Sequence, residues 1–355
     1  MSNNPLVSIL VPIFNVERYL RECLDSIRLQ TLRDIEVICI NDGSTDGSRS
    51  IIEEYVRSDA RFRVINKENS GYGASMNIGL QACRGVYVGI VESDDYIEPQ
   101  MFESLYHAAE QHQAQVAKCD FFLFWSKPQV VNERFYWVDD VNQGHINPQI
   151  DRDVFYRKPS IWSAIYRRDF LQQNDIGFLE TPGASYQDAS FNFKVWASCD
   201  NAVLLNEPLL HYRQDNEASS VNAPGKVFCV CDEYAEMHRY LDCHWMDRGY
   251  LRETLCRMRF DTYEWNYGRL NEALRSDFLP RMRKDVLDDG NRGYFNSCEF
   301  DANKMTARSI LIKHPELYPA LYSTRDVTGM KAKFRLVADE HGLLDAVRLL
   351  VRHIV

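Results

Sequence analysis

The first half of the chain alternates short apolar runs with amphipathic ones. Val7-Ser8-Ile9-Leu10-Val11-Pro12 is apolar and β-branched, which predicts a buried strand. Tyr19, Leu20, Cys23, Leu24 and Ile27 then recur on one helical face, predicting a helix over about 16–30 with Asn15 as its cap. Ile35-Glu36-Val37-Ile38-Cys39-Ile40 predicts a second strand that ends in the turn formers Asn41-Asp42-Gly43-Ser44-Thr45-Asp46-Gly47. A helix over 48–57, a strand over 62–65, a helix over 74–82 and a strand over 86–91 continue the pattern. Helices between successive strands imply a largely parallel sheet covered on both faces. Ligands of such sheets bind beyond the carboxyl ends of the strands. Two polar clusters fall there, residues 41–46 and 92–95.

From about residue 226 the pattern turns helical. Val227, Val230, Cys231, Tyr234, Leu241 and Trp245 lie close to helical spacing, and further helices are expected at 250–275 and 302–315. Ala223-Pro224-Gly225 marks the expected junction, giving domains of 1–225 and 226–355. The last stretch, 342–355, is amphipathic, with Leu343, Leu344, Val347, Leu350 and Val351 beside Arg348 and Arg352. It suits packing on its own domain, a weak membrane-surface contact, or pairing with a second copy.

Charge sharpens this division. The 355 residues carry a net charge of −10. Residues 1–225 hold 20 basic and 31 acidic side chains, and residues 226–355 hold 21 and 20. The acid is therefore concentrated in the α/β half. A chain of this sign lacks the basic surface that a general nucleic-acid binder needs. No apolar run reaches the ~18 residues required to span a bilayer, and no signal peptide is visible at the N-terminus. The scattered cysteines then read as reduced thiols of a cytoplasmic protein.

Glu92-Ser93-Asp94-Asp95 follows an apolar strand directly. Three carboxylates in four residues repel one another unless a cation is near, and hard oxygen donors suit Mg²⁺ or Mn²⁺. The same tetrapeptide also reads as a polar strand end or a cap for a helix near 99–111. In residues 41–47 the glycines permit close backbone approach, and Asp42 can accept from a base N–H; an ordinary turn has the same composition.

Taken together, 7–15, Gln30-Thr31, 41–48, Asn69-Ser70-Gly71, Asn77-Ile78-Gly79-Leu80 and Glu92–Asp95 resemble the opening of the family 2 glycosyltransferases in order and spacing, over about residues 5–110. The resemblance implies an α/β GT-A fold (Rossmann-like, a largely parallel sheet flanked by helices) followed by a mainly α-helical C-terminal domain. It implies a nucleotide-binding half at 1–110 and an acceptor half at 111–225. It also implies a UDP-sugar donor, inversion at the anomeric carbon and a divalent cation, Mn²⁺ or Mg²⁺. Asp42 then matches the residue that reads the nucleobase, with Pro12, Phe14, Asn15, Ser44, Asn77, Glu92 and Ser93 on the nucleotide-sugar. Asp94 matches the metal-coordinating position of the DXD motif, whose usual first aspartate is Glu92 here, and Asp95 is either a weaker ligand or a group that supports the ligands without touching the metal.

The second half matches more loosely. The segment from Trp162 to Leu171 resembles one found in polysaccharide-building members. Tyr186-Gln187-Asp188-Ala189-Ser190-Phe191 resembles their acidic motif, with Gln187 in place of the usual glutamate and Asp188 at the position of the catalytic base. The chemistry needs such a group, because the acceptor hydroxyl must lose its proton as the sugar–phosphate bond breaks. Spacing alone also allows Asp188 to be a helix N-terminal acid held by the helix dipole. In the segment His211–Asn222, Arg213 is a candidate for the diphosphate and His211 for the metal. Trp162 and Gln187 are candidates for sugar or acceptor contacts.

The expected activity is transfer of a sugar to a hydroxyl of a glycan acceptor, including a lipid-linked one, in a bacterial cell-surface polysaccharide such as O-antigen or capsule. The enzyme would work in the cytoplasm, at the inner face of the membrane. The alternative is a non-catalytic nucleotide-sugar-binding or assembly subunit. A sugar nucleotidyltransferase fits poorly, since the place of its glycine-rich loop is taken by Pro12-Ile13-Phe14-Asn15.

Overall fold

The computed structural model describes residues 4–138, 143–183, 186–216, 226–327 and 329–351. Two compact units divide at Tyr240/Leu241.

The first unit is built on one sheet. Its strands are β1 (Val7–Ile13), β2 (Ile35–Asp42), β3 (Phe62–Lys67), β4 (Tyr87–Ile90), β5 (Tyr96–Ile97), β6 (Val116–Trp125), β7 (Val131–Phe135), β8 (Gly144–Ile146), β9 (Ala164–Arg167) and β10 (Ala202–Arg213). The helices are α1 (Glu17–Arg28), α2 (Ser48–Ser58), α3 (Tyr72–Ala82), α4 (Met101–His112), α5 (Arg168–Gln173), α6 (Gln187–Ser198) and α7 (Cys229–His244). The strand order is β3-β2-β1-β4-β9-β6-β10-β5, with β7 on β6 and β8 on β10.

The order reflects two halves. β3, β2, β1 and β4 run parallel, in register Val7↔Ile35 and Val7↔Tyr87. Every residue of β1 and β2 is buried, as expected of strands covered on both faces. Beyond β4 the sheet is mixed: β9 runs antiparallel to both β4 and β6, whereas β6 and β10 are parallel. Gly89 in β4 is required for packing, since a Cβ there would sit 2.3 Å from the Phe102 ring of α4.

One local expectation is corrected. Asn15 does not cap α1; its φ is +50° and its side-chain oxygen accepts from the Thr45 N–H at 2.8 Å. The start of α1 is served from the neighbouring loop instead. Val16 N–H donates to Ser48 Oγ at 3.1 Å and Glu17 N–H to Asp46 Oδ2 at 3.0 Å. In return Glu17 accepts from the Gly47 N–H at 2.5 Å. The β1–α1 and β2–α2 loops are thus one hydrogen-bonded body, and its bonds hold Asp46 below the usual carboxylate range despite burial.

The expected junction at 223–225 lies outside the described residues. The division falls within α7, whose residues up to Tyr240 are tied to α6: Glu236 pairs with Lys194 at 2.6 Å, and the Tyr240 hydroxyl meets Ser198 Oγ at 2.7 Å.

The second unit is helical: α8 (Gly249–Arg269), α9 (Glu272–Asn291), α10 (Ala302–Lys313), α11 (Tyr318–Ser323), α12 (Met330–Glu340) and α13 (Leu343–Val351). Phe260, Tyr263, Tyr267, Phe278, Met282 and Tyr318 are buried in it. α9 continues through Pro280, which is why the sequence pattern did not predict it. In α13, Ala346 and Leu349 are buried while Leu343, Leu344, Val347, Leu350 and Val351 are exposed.

Candidate active site

Sheet pairing assembles the acidic cluster. After β4 the chain makes a turn in which the Asp95 N–H donates to Glu92 O at 3.0 Å, and β5 then pairs with β10 at Tyr96↔His211. That pairing lays the end of β10 beside the acidic turn. The Arg213 N–H donates to Asp95 Oδ1 at 2.8 Å and its Nε to Asp94 O at 2.8 Å. The Arg213 guanidinium lies 4.6 Å from the Tyr19 ring and 4.7 Å from the Phe124 ring, and it pairs with Glu22 at 2.5 Å. Arg213 is 6% exposed. Its backbone and Nε hold the acidic turn in place while Glu22 and two aromatic rings engage its guanidinium. Arg213→Ala is expected to destabilise the protein by roughly 2–4 kcal/mol, because a buried ion pair and two cation–π contacts are lost. A denaturant-unfolding midpoint measures this.

The carboxylates differ in state. Burial pushes Glu92 up to about 8, with the Asp94 and Asp188 charges adding to the effect. Its Oε1 accepts from the Tyr72 hydroxyl at 2.7 Å. Burial, then the Asp94 charge, also raises Asp95 well above the usual range. Asp94 accepts from Asn216 Nδ2 at 2.7 Å. Asp188, in the first turn of α6, is pushed up to about 6 by burial, against the opposing pull of Lys158 and of the Ala189 N–H. The Tyr212 phenol is raised first by burial and then by the charges of Asp95, Asp188, Asp94 and Glu92. Tyr212 thus lies within electrostatic reach of all four acids. Lys158 reaches the same place: its ammonium is 5.0 Å from the Tyr212 ring, and Asp188 and Asp95 oppose the downward shift that burial causes.

The other candidates have identifiable partners. Asp42 accepts from Ser70 N–H at 2.9 Å, Gly71 N–H at 3.0 Å and the Lys67 ammonium. A carboxylate has about four acceptor sites, so one remains for a ligand. Pro12 is buried in β1, Phe14 is 50% exposed, and Ser44 accepts from the Asn15 N–H at 3.1 Å. Ser93 is buried. Asn77 is committed to the 178–180 loop, donating to Phe178 O and Glu180 Oε1 and accepting from Phe178 N–H. Gln187 is buried and donates to Thr181 Oγ1 at 2.8 Å. Trp162 is buried against Phe121 and Tyr212. His211 is not brought to the acids. Its ring nitrogens lie 2.9 Å from Glu98 Oε1 and 2.8 Å from Asn132 Oδ1, and the ring stacks on Tyr96. A metal would have to displace one of those partners.

Tyr72, Lys158, Tyr212 and Asn216 join the cluster without having been singled out in the sequence. Tyr212 lay inside the segment resembling the family's loop, flanked by His211 and Arg213. Lys158 carried no local signal.

The donor set fits a hard divalent cation. Asp95 Oδ2 is buried with no hydrogen-bond partner among the described residues. Asp94 supplies a second carboxylate beside it. No group of three or more His, Cys, Asp or Glu side chains suited to a metal occurs among the described residues. Mg²⁺-type sites often use one or two carboxylates and complete their shell with water and substrate phosphates, which is the set available here.

The sequence profile described as Glycosyl transferase family 2 matches residues 8–186, half of the chain. The chain belongs to glycosyl transferase family 2. This glycosyltransferase is 36% identical over 217 residues to the uncharacterized glycosyltransferase EpsJ of Bacillus subtilis; the match covers 59% of the present chain and 62% of EpsJ. It is 40% identical over 99 residues to a chondroitin synthase of Escherichia coli, covering 28% of this chain and 14% of that one. Its fold is that of Staphylococcus aureus TarS 1–349, solved in complex with UDP-GlcNAc: the TM-score is 0.74 at 18% identity, over 90% of each chain. The GT-A architecture expected from the sequence is therefore present, followed by a helical region.

Proposed function

We propose that this glycosyltransferase moves a sugar from a UDP-sugar to a hydroxyl of a bacterial surface glycan, with inversion at the anomeric carbon and Asp188 as general base. The observation that carries this reading is the convergence of Glu92, Asp94, Asp95 and Asp188 around Tyr212. The polysaccharide role draws on the name of the chondroitin synthase, and the UDP-sugar draws on the TarS complex.

Asp42, with one acceptor site left, suits a nucleobase N–H, and half-exposed Phe14 suits its face. Asp94 and Asp95 would hold the cation, which when bound neutralises charge on the departing diphosphate. Asp188 takes the proton of the acceptor hydroxyl as that oxygen attacks the sugar carbon. Lys158 lowers the proton affinity of Asp188, against the effect of burial. No helix among the described residues is long and apolar enough to cross a membrane. The exposed aliphatic face of α13 supports a peripheral position at the membrane, where a lipid-linked acceptor would lie.

UDP release from a panel of UDP-sugars, with Mn²⁺ and glycan acceptors, tests the activity. Acceptor-dependent release from at least one donor is expected, and UDP binding without cleavage of any donor would favour a non-catalytic subunit. The base must be unprotonated to act, and its raised value is about 6. The kcat/KM is therefore expected to be level above that pH and to fall about tenfold per unit below it. A pH–rate profile of the free enzyme checks this.

A further inference from the structure

The α6–α7 contact adjoins the candidate base. α6 begins at Gln187, after Tyr186 in a left-handed conformation (φ +63°) that supplies no side-chain cap. Several N–H groups at that helix end therefore need acceptors from elsewhere. The Asp188 carboxylate faces the Ala189 N–H and its own N–H. The next N–H, of Ser190, donates to Glu233 Oε2 of α7 at 3.1 Å. Glu233 is 1% exposed, and burial pushes its carboxyl up to about 8. Two further rungs continue the contact along the helices. Lys194 pairs with Glu236, and Ser198 meets Tyr240, whose hydroxyl also donates to Asn174 O at 2.7 Å.

Only the first rung adjoins Asp188. An acid in the first turn of a helix tends to fold back onto unsatisfied N–H groups. Glu233 takes the Ser190 N–H, the next donor after the two that the Asp188 carboxylate faces, and so completes the N–H groups of this turn.

We propose that Glu233 is a positioning residue for Asp188, holding the first turn of α6 so that the base faces the acceptor. The inference rests on Asp188 being the base. It makes a burial-independent demand: an acceptor atom must be present at position 233, not a charge. Glutamine supplies one, whereas alanine does not.

The test is a double-mutant cycle in the full chain, with kcat and donor KM measured by UDP release. Glu233→Ala is expected to lower kcat about 10- to 100-fold, the cost of a misplaced catalytic group, with donor KM within about twofold. Glu233→Gln is expected to restore kcat to within about threefold. In the Asp188→Asn background, Glu233→Ala is expected to cost nothing further, since coupled residues are non-additive. Glu236→Gln disturbs the next rung and is expected to leave kcat unchanged. An equal kcat loss from Glu233→Ala in both backgrounds would overturn the proposal, as would an equal loss from Glu236→Gln. Full activity of Asp188→Asn alone would instead overturn the base assignment.

Discussion

Asp188→Asn is expected to lower kcat by about 10²–10⁴, the usual contribution of a general base, with UDP affinity unchanged. Asparagine preserves the size of the side chain and its ability to accept the N–H groups at the start of α6. It cannot take a proton. The groups proposed for the nucleotide and the cation lie on other loops, Asp42 after β2 and Asp94 after β4, so donor binding has no reason to change. A helix N-terminus by itself lowers the proton affinity of a carboxylate. Asp188 is pushed up to about 6, because burial outweighs the backbone N–H groups and Lys158. Steady-state kinetics together with UDP calorimetry measure both halves of the expectation. Wild-type kcat in Asp188→Asn would remove Asp188 from the chemistry.

Asp94→Ala is expected to abolish the metal-dependent part of UDP binding, weakening affinity at least about 100-fold in Mn²⁺ to the level of wild type in chelator. The argument is one of charge. Asp95 and Glu92 are both raised by burial and by the Asp94 carboxylate. Asp94 itself is half-buried and accepts from Asn216. Removing it takes one of two adjacent hard donors; Asp95, relieved of the Asp94 charge, ionises more readily but is left as a single carboxylate for the cation. Calorimetric titration of UDP with Mn²⁺ and with chelator, for both proteins, gives the result directly. Equal Mn²⁺ dependence in the two proteins would place the cation elsewhere.

The sequence revealed some of this structure better than the rest. β1 and β2 are uninterrupted apolar runs because both faces of the sheet are covered, and such runs are easy to read. β6 is not, because Lys118 and Asp120 lie within it. Each is buried and fully engaged, Lys118 by Ser160 and Ser163 and Asp120 by Arg134 and the Val138 N–H. β10 is broken by register shifts around Pro208. The acidic residues of the site could be found from their spacing at strand and helix ends. The partners of Arg213, His211, Asn77 and Gln187 could not, since a sequence shows which groups can bond but not which partners have already taken them. Lys158 reaches the site only through the path of the 3-10 segments around 152–163.

The shared hydrogen bonding of the β1–α1 and β2–α2 loops bears on how this enzyme can change. Asn15 with Thr45, Ser48 with Val16, and Glu17 with both Asp46 and Gly47 are reciprocal contacts across about thirty residues of sequence. Neither loop is an interchangeable module. A swap of donor specificity that grafts one of them from a relative would leave backbone groups of the other unmatched, so the transplantable unit is the pair, from Phe14 to Ser48, together with the strand and helix between them.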